Sequence, residues 1–236
     1  ASVLTANDGD TLDGGAGADT LNVETAANLT SNFKTTSIET VNLTALGAVS
    51  VDMTNKTGVT ALNNNDSTAK VTVNNIADTT ATYGLKGSTV NNLELNYKTA
   101  VLNGSADKLN VNLNGSSATT ITAETGFESV EVKTTAASTL TKLTASGATA
   151  LTLSGNATLE TADNSIDSFT DYTVTNTAKV TYSNIDTVKT FNASTNTGGI
   201  VGKDLNVTAT LDNGTTKDVL TMSSTGSLIQ TGSGND

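Results

Sequence analysis

Residues 14 to 22 read Gly-Gly-Ala-Gly-Ala-Asp-Thr-Leu-Asn and fill every fixed position of the nonapeptide G-G-x-G-x-D-x-U-x, where U is a large aliphatic residue. Such a repeat makes one turn and one short strand, and this constrains the chain more than any bulk property. Gly14, Gly15 and Gly17 permit positive φ and close backbone approach, so several carbonyl oxygens can face one centre. Asp19 adds charge at that centre, and Leu21 falls two residues later on the inward side of a strand. The preceding nine residues, Thr5 to Asp13, keep Asp10 and Leu12 in place but put Asp8 where a glycine belongs. At the other end, Asn213 to Thr221 retains Gly214, Asp218 and Leu220, and Met222 to Gln230 retains only Ile229. Thr231 to Asp236 then gives Thr-Gly-Ser-Gly-Asn-Asp in the same nine-residue register. The chain is expected to be a piece of a longer protein in which more such turns follow.

Between residues 23 and 212 the pattern changes to short segments of the form apolar-x-x-apolar-x-apolar. Examples are Ile38 to Leu43, Val90 to Leu95, Phe127 to Val132 and Ala148 to Leu153. The last two apolar positions alternate with polar ones, which is the two-residue period of a half-buried strand. Asn/Gly/Ser/Asp stretches such as Asn103-Gly104-Ser105 separate the segments at roughly 10 to 20 residues, too short for crossover helices to be general. Leu159 to Phe169 is the stretch that could hold a helical turn.

The chain contains four Phe, four Tyr and no Trp, so the core is expected to be narrow and built from Val, Leu, Ile and Ala. Two all-β architectures suit such strands. One is a parallel β-solenoid, a β-helix or β-roll in which stacked coils share one continuous core, and the other is an antiparallel β-sandwich. Glycine-aspartate turns at both ends favour the solenoid. The expected organisation is residues 1–22 as glycine-aspartate turns, 23–212 as a Thr/Asn-rich solenoid, and 213–236 as the start of a second roll.

The formal charge of −11 makes nucleic acid an unsuitable partner but suits hard cations. With no His and no Cys, nitrogen and thiolate metal sites are excluded, and calcium, which takes six to eight oxygen ligands, is the metal the turns can hold. The candidate ligands are Asp10, Gly14, Gly15, Gly17 and Asp19 at one end and Asp218, Gly232, Gly234 and Asp236 at the other. In a roll with two nine-residue halves, turns 18 residues apart share a side, as Asp218 and Asp236 do, whereas Asp10 and Asp19 face opposite sides. No apolar run approaches the length of a membrane span.

Residues 14 to 22 and 231 to 236 resemble the calcium-binding repeats of RTX proteins, which Gram-negative bacteria export through type I systems with an uncleaved C-terminal signal. The Thr/Asn/Ala-rich middle, with Ser37 to Leu43 and Phe127 to Val132, is similar in texture to the lattice-forming regions of surface-layer proteins in that group. The nonapeptide match is specific but covers only about 45 residues at the two ends. The resemblance implies an extracellular, calcium-assembled cell-surface lattice of copies of the chain. Lipopolysaccharide contact is expected through other parts of the parent protein. An RTX-type adhesin or passenger module is the alternative.

Catalysis is not expected, because the commonest general base and the thiol nucleophile are both missing. Glu128 and Glu131, the nearest thing to a carboxylate pair for glycoside hydrolysis, are three apart and would point to opposite faces of a strand.

Overall fold

The computed structural model describes residues 6–87, 92–117, 119–162, 166, 168–183, 188–205, 208–210, 219–222 and 229–230. Every regular element among them is a strand. The chain begins with β1 (Thr11–Asp13), β2 (Thr20–Thr25), β3 (Lys34–Thr36), β4 (Thr40–Ala45), β5 (Val49–Asp52), β6 (Ala61–Asn65), β7 (Val71–Ile76) and β8 (Thr82–Lys86). It continues with β9 (Asn92–Tyr97), β10 (Lys108–Asn114), β11 (Thr119–Ala123), β12 (Ser129–Ala136), β13 (Ser138–Ala145), β14 (Ala150–Gly155) and β15 (Leu159–Thr161). The last strands are β16 (Asp171–Val174), β17 (Val180–Tyr182), β18 (Thr190–Asn192), β19 (Ile200–Leu205), β20 (Thr208–Thr210), β21 (Val219–Met222) and β22 (Ile229–Gln230).

The even-numbered strands from β2 to β22 form one 11-stranded sheet and the odd-numbered strands from β5 to β21 a 9-stranded sheet, with β1 and β3 as a short third side. Pairing is parallel throughout both sheets, as in β2 with β4 and β5 with β7. Each pass of the chain lays one strand on each sheet and the next pass stacks upon it. The result is a parallel β-solenoid of about nine turns. The antiparallel sandwich is thereby excluded. Leu159 to Thr161 is a strand, and no helix occurs among the described residues.

The apolar-x-x-apolar-x-apolar hexad encodes one coil. Ile38 sits at the corner while Val41 and Leu43 of β4 point inward, and all three are buried. Phe127, Val130 and Val132 do the same for β12, and Phe169, Tyr172 and Val174 for β16. Each fully buried side chain of this size contributes roughly 1.5–3 kcal/mol, and stacking leaves a polar face outside every strand.

The expectation of a core without aromatics needs correction, because all eight Phe and Tyr residues are buried. Tyr97 packs edge-on against Tyr83 and Phe127, with centroids 6.3 and 4.9 Å away, and Phe191 lies 6.1 Å from Tyr172 and 5.4 Å from Tyr182. Burial pushes the Tyr83 and Tyr97 phenols above their ordinary range. Few in number, these rings each fill an interior gap that aliphatic side chains alone would leave open.

Coil length also differs from the 18-residue roll. The stacked side chains of Asn22 and Asn42 are 20 residues apart, those of Asn42 and Asn63 are 21 apart, and those of Asn74 and Asn96 are 22 apart. One coil is longer, since Thr82 pairs with Asn110, and the extra chain forms an excursion over residues 98–107. The step falls to 18 where Thr190 pairs with Thr208 and Val201 with Val219, and returns to 20 where Ala209 pairs with Ile229.

Candidate functional site

The position two residues before the first inward side chain of each even-numbered strand is a corner of the coil, and its backbone carbonyl accepts an N–H from the coil below. Asp19 accepts from Thr40, Glu39 from Ala61, Asp107 from Ser129 and Glu128 from Ala150. Carboxylates occupy this corner in two pairs, each on consecutive coils. The same wiring recurs in both: the Asp19 N–H donates to Glu39 Oε2 at 2.7 Å, and the Asp107 N–H donates to Glu128 Oε2 at 2.6 Å.

The first pair carries the nonapeptide. Asp13 pairs with Thr36 and Thr20 with Thr40, so six residues (14–19) span on the first coil what three residues (37–39) span on the second. The surplus bulges outward as the glycine loop. Gly15 and Gly17 have φ of 84° and 129°, a region that a side chain rarely tolerates. The Gly14 N–H donates to the Thr36 carbonyl at 2.9 Å, and a Cβ there would run into the Ser37 carbonyl oxygen and the Asp19 side chain. The loop therefore lies directly against the Asp19 carboxylate, which reaches to within 3.9 Å of where a Gly17 Cβ would stand. Asp19 Oδ2 is buried there without a protein hydrogen-bond partner.

Of the ligands predicted from the sequence, Gly14, Gly17 and Asp19 thus come together. Gly15 belongs to the same loop, its N–H held 3.0 Å from Asp13 Oδ1. Asp10 stands apart at the entry to β1, where its Oδ2 accepts the Asn7 N–H at 2.8 Å. Asp218, Gly232, Gly234 and Asp236 lie outside the described residues. Glu39 was not among the sequence candidates. Its signal is an acid at the corner position of the coil that stacks beneath a nonapeptide loop, legible only once the coil step is known.

A hard divalent ion fits this chemistry, because every available donor is an oxygen and one buried carboxylate oxygen lacks a partner. The protein carboxylates would be Asp19 and Glu39, with main-chain oxygens of the glycine loop completing the set. Among the described residues no group of three or more carboxylates gathers at one point, so a site here is poor in charge.

The second pair lies beside the excursion. The Asp107 carboxylate accepts the Gly104 N–H at 3.0 Å and so caps its own loop. Next to it an open cleft of about 590 Å³ is lined by Lys98, Leu102, Asn103, Glu124, Gly126 and Ser146 among others. Elsewhere the outer faces are polar and cross-linked between coils. The Asn22, Asn42 and Asn63 amides form a ladder with bonds of 2.8 and 2.9 Å, and Lys70–Glu94 and Lys108–Glu131 are ion pairs. The hydrogen bond from Lys108 holds the Glu131 carboxyl below its usual range. Glu128 lies at the corner and Glu131 on the outer face of β12, bonded to Lys108 and Ser154.

No protein-family model, no curated protein and no solved structure matches this chain.

Proposed function

We propose that the chain is a non-catalytic, calcium-stabilised segment of a bacterial surface-layer protein, one solenoidal unit of a two-dimensional lattice outside the cell. The observation that carries the calcium part is the buried, unpartnered Oδ2 of Asp19 inside a glycine loop. A buried acceptor left without a partner costs about 1–3 kcal/mol, and more when charged, so a cation at this corner relieves a real penalty. Calcium bound by Asp19, the loop carbonyls and Glu39 would tie the first coil to the second. The spacing of Asp218 and Asp236 in the sequence suits the same chemistry, with Gly232 and Gly234 supplying carbonyls.

The lattice part rests on the resemblance and on the outer faces. Rows of Asn and Thr amides and hydroxyls, pinned by coil-to-coil hydrogen bonds, offer flat polar surfaces for lateral contact between copies. The cleft under the 98–107 excursion favours the alternative, an adhesin-type binding module.

Isothermal titration of the chain with calcium, before and after Asp19→Asn with Glu39→Gln, tests the first part. Heat of binding that the double variant lacks is expected, and unchanged binding would overturn the site. Electron microscopy of the parent protein tests the second. Ordered arrays that form with calcium and dissolve on chelation are expected, whereas monomers that persist in calcium and retain a glycan or protein ligand would transfer the chain to the adhesin class.

A further inference from the structure

The first three coils meet at a second cation position, and the chain fills it itself. Lys56 lies between β5 and β6 and stacks under Thr35 of β3. Its side chain is buried, only 8% exposed, which is rare for lysine. The ammonium donates to the Thr30 carbonyl at 3.0 Å and the Phe33 carbonyl at 2.9 Å, both on the coil above, and lies 5.4 Å from the centre of the Phe33 ring. The carboxylates of Asp52 and Asp8 are near enough to favour its charge, while burial draws its pKa down. Asp8 in turn accepts the Thr30 hydroxyl and, at 3.4 Å, the Asn32 amide, which ties the segment before β1 to the same corner.

Two main-chain carbonyls in hydrogen-bond contact and an aromatic face, with two carboxylates in the surroundings, are what a corner built for a cation would present. We infer that Lys56 is a resident cation clamp, standing where a metal ion would otherwise be needed, and that it locks the first three coils together independently of calcium. Within these coils calcium, on the reading proposed above, then governs the glycine loop and its tie to Glu39, at the opposite end of the same short side. The N-terminal coils have two fasteners of different chemistry. One is covalently part of the chain and permanent, the other exchangeable, so calcium loss opens a loop without unstacking the coils.

Hydrogen exchange on the full chain separates the two. In the wild type, chelation is expected to speed exchange over residues 14–19 and leave 28–36 unchanged. Lys56→Met, which keeps the apolar stem and removes the charge, is expected to speed exchange over 28–36 by roughly tenfold or more, with calcium still protecting 14–19. Lys56→Arg is expected to stay closer to the wild type. Millimolar to molar ammonium chloride is expected to slow exchange over 28–36 in Lys56→Ala more than equal sodium chloride does. Chelation that loosens 28–36 as much as 14–19 in the wild type would overturn the clamp, as would a Lys56→Met protein with unaltered exchange over 28–36. If the lysine variants do not fold, the wild-type comparison alone decides. A 14–19 loop indifferent to calcium, with 28–36 sensitive to Lys56, overturns the calcium reading and leaves the clamp standing.

Discussion

The Asp19–Glu39 and Asp107–Glu128 corners share one wiring and differ in everything around it. In both, a glutamate one coil below receives the N–H of an aspartate that enters a strand. At the first corner the loop is glycine-rich, two of its residues have positive φ, and an aspartate oxygen is buried without a partner. At the second the loop is Asn103-Gly104-Ser105-Ala106, and the aspartate carboxylate already caps it through the Gly104 N–H. A pair of acids on consecutive coils is therefore a structural fastener by default. It becomes a candidate ion site only where the loop withholds a donor from the carboxylate.

The glycines give the largest handle on that difference. Gly14→Ala drives a Cβ into the Ser37 carbonyl, so we expect a loss of ~2–4 kcal/mol in chemical denaturation. Gly104→Ala meets first the Asp107 carboxylate, which can give way, and should cost ~1 kcal/mol or less. Equal losses at the two sites would erase the distinction.

The glutamates come next. Glu39→Ala and Glu128→Ala each remove an acceptor from a partly buried N–H and are expected to cost about 1–3 kcal/mol. Only Glu39→Ala should also reduce the rise in melting temperature on adding calcium. A calcium response lost equally in both variants would make the second corner an ion site as well.

Between the two corners lies a smaller flaw that runs the other way. Asn64 is fully buried with both amide atoms unpartnered, stacked between Leu43 and Leu85. Asn64→Leu continues the aliphatic row and is expected to stabilise the chain by ~1–2 kcal/mol, measured as a higher melting temperature with the calcium response unchanged.

The smallest effect is acid sensitivity beside the second corner. Lys108 and Ser154 hold the Glu131 carboxyl below its usual range, so its folded pKa lies under the unfolded one. Its contribution is present above the ordinary glutamate range, about pH 4, and is lost as pH falls through the lower folded value. Glu131→Gln should flatten the low-pH limb of the stability profile slightly and leave neutral pH nearly unchanged, because the pair is partly solvent-exposed.

Much of this is legible in the sequence. The hexads marked the strands and their inward faces, since alternation on a strand is a local property of the backbone. The nonapeptide marked the glycine loop, because positive φ and close approach demand glycine whatever surrounds them. The buried aromatics were not legible, since a ring's place depends on which coil it meets. Glu39 and Lys56 escaped for the same reason: each acts on a coil about 20 residues away in sequence, as the Asp19–Glu39 and Lys56–Phe33 hydrogen bonds do.

What the sequence determined by itself was the repeating unit, a turn followed by a short strand with one apolar face, together with the oxygen-only chemistry of its loops. What the tertiary structure decided was the coil step. Steps of 20 to 22 residues, rather than 18, choose which carboxylate lies under which loop and which ammonium lies under which carbonyl. The physical reason is that burial of the apolar face fixes each strand against its neighbour, while the corners absorb whatever residues are left over. Partners across coils are set by that remainder, which no local pattern records.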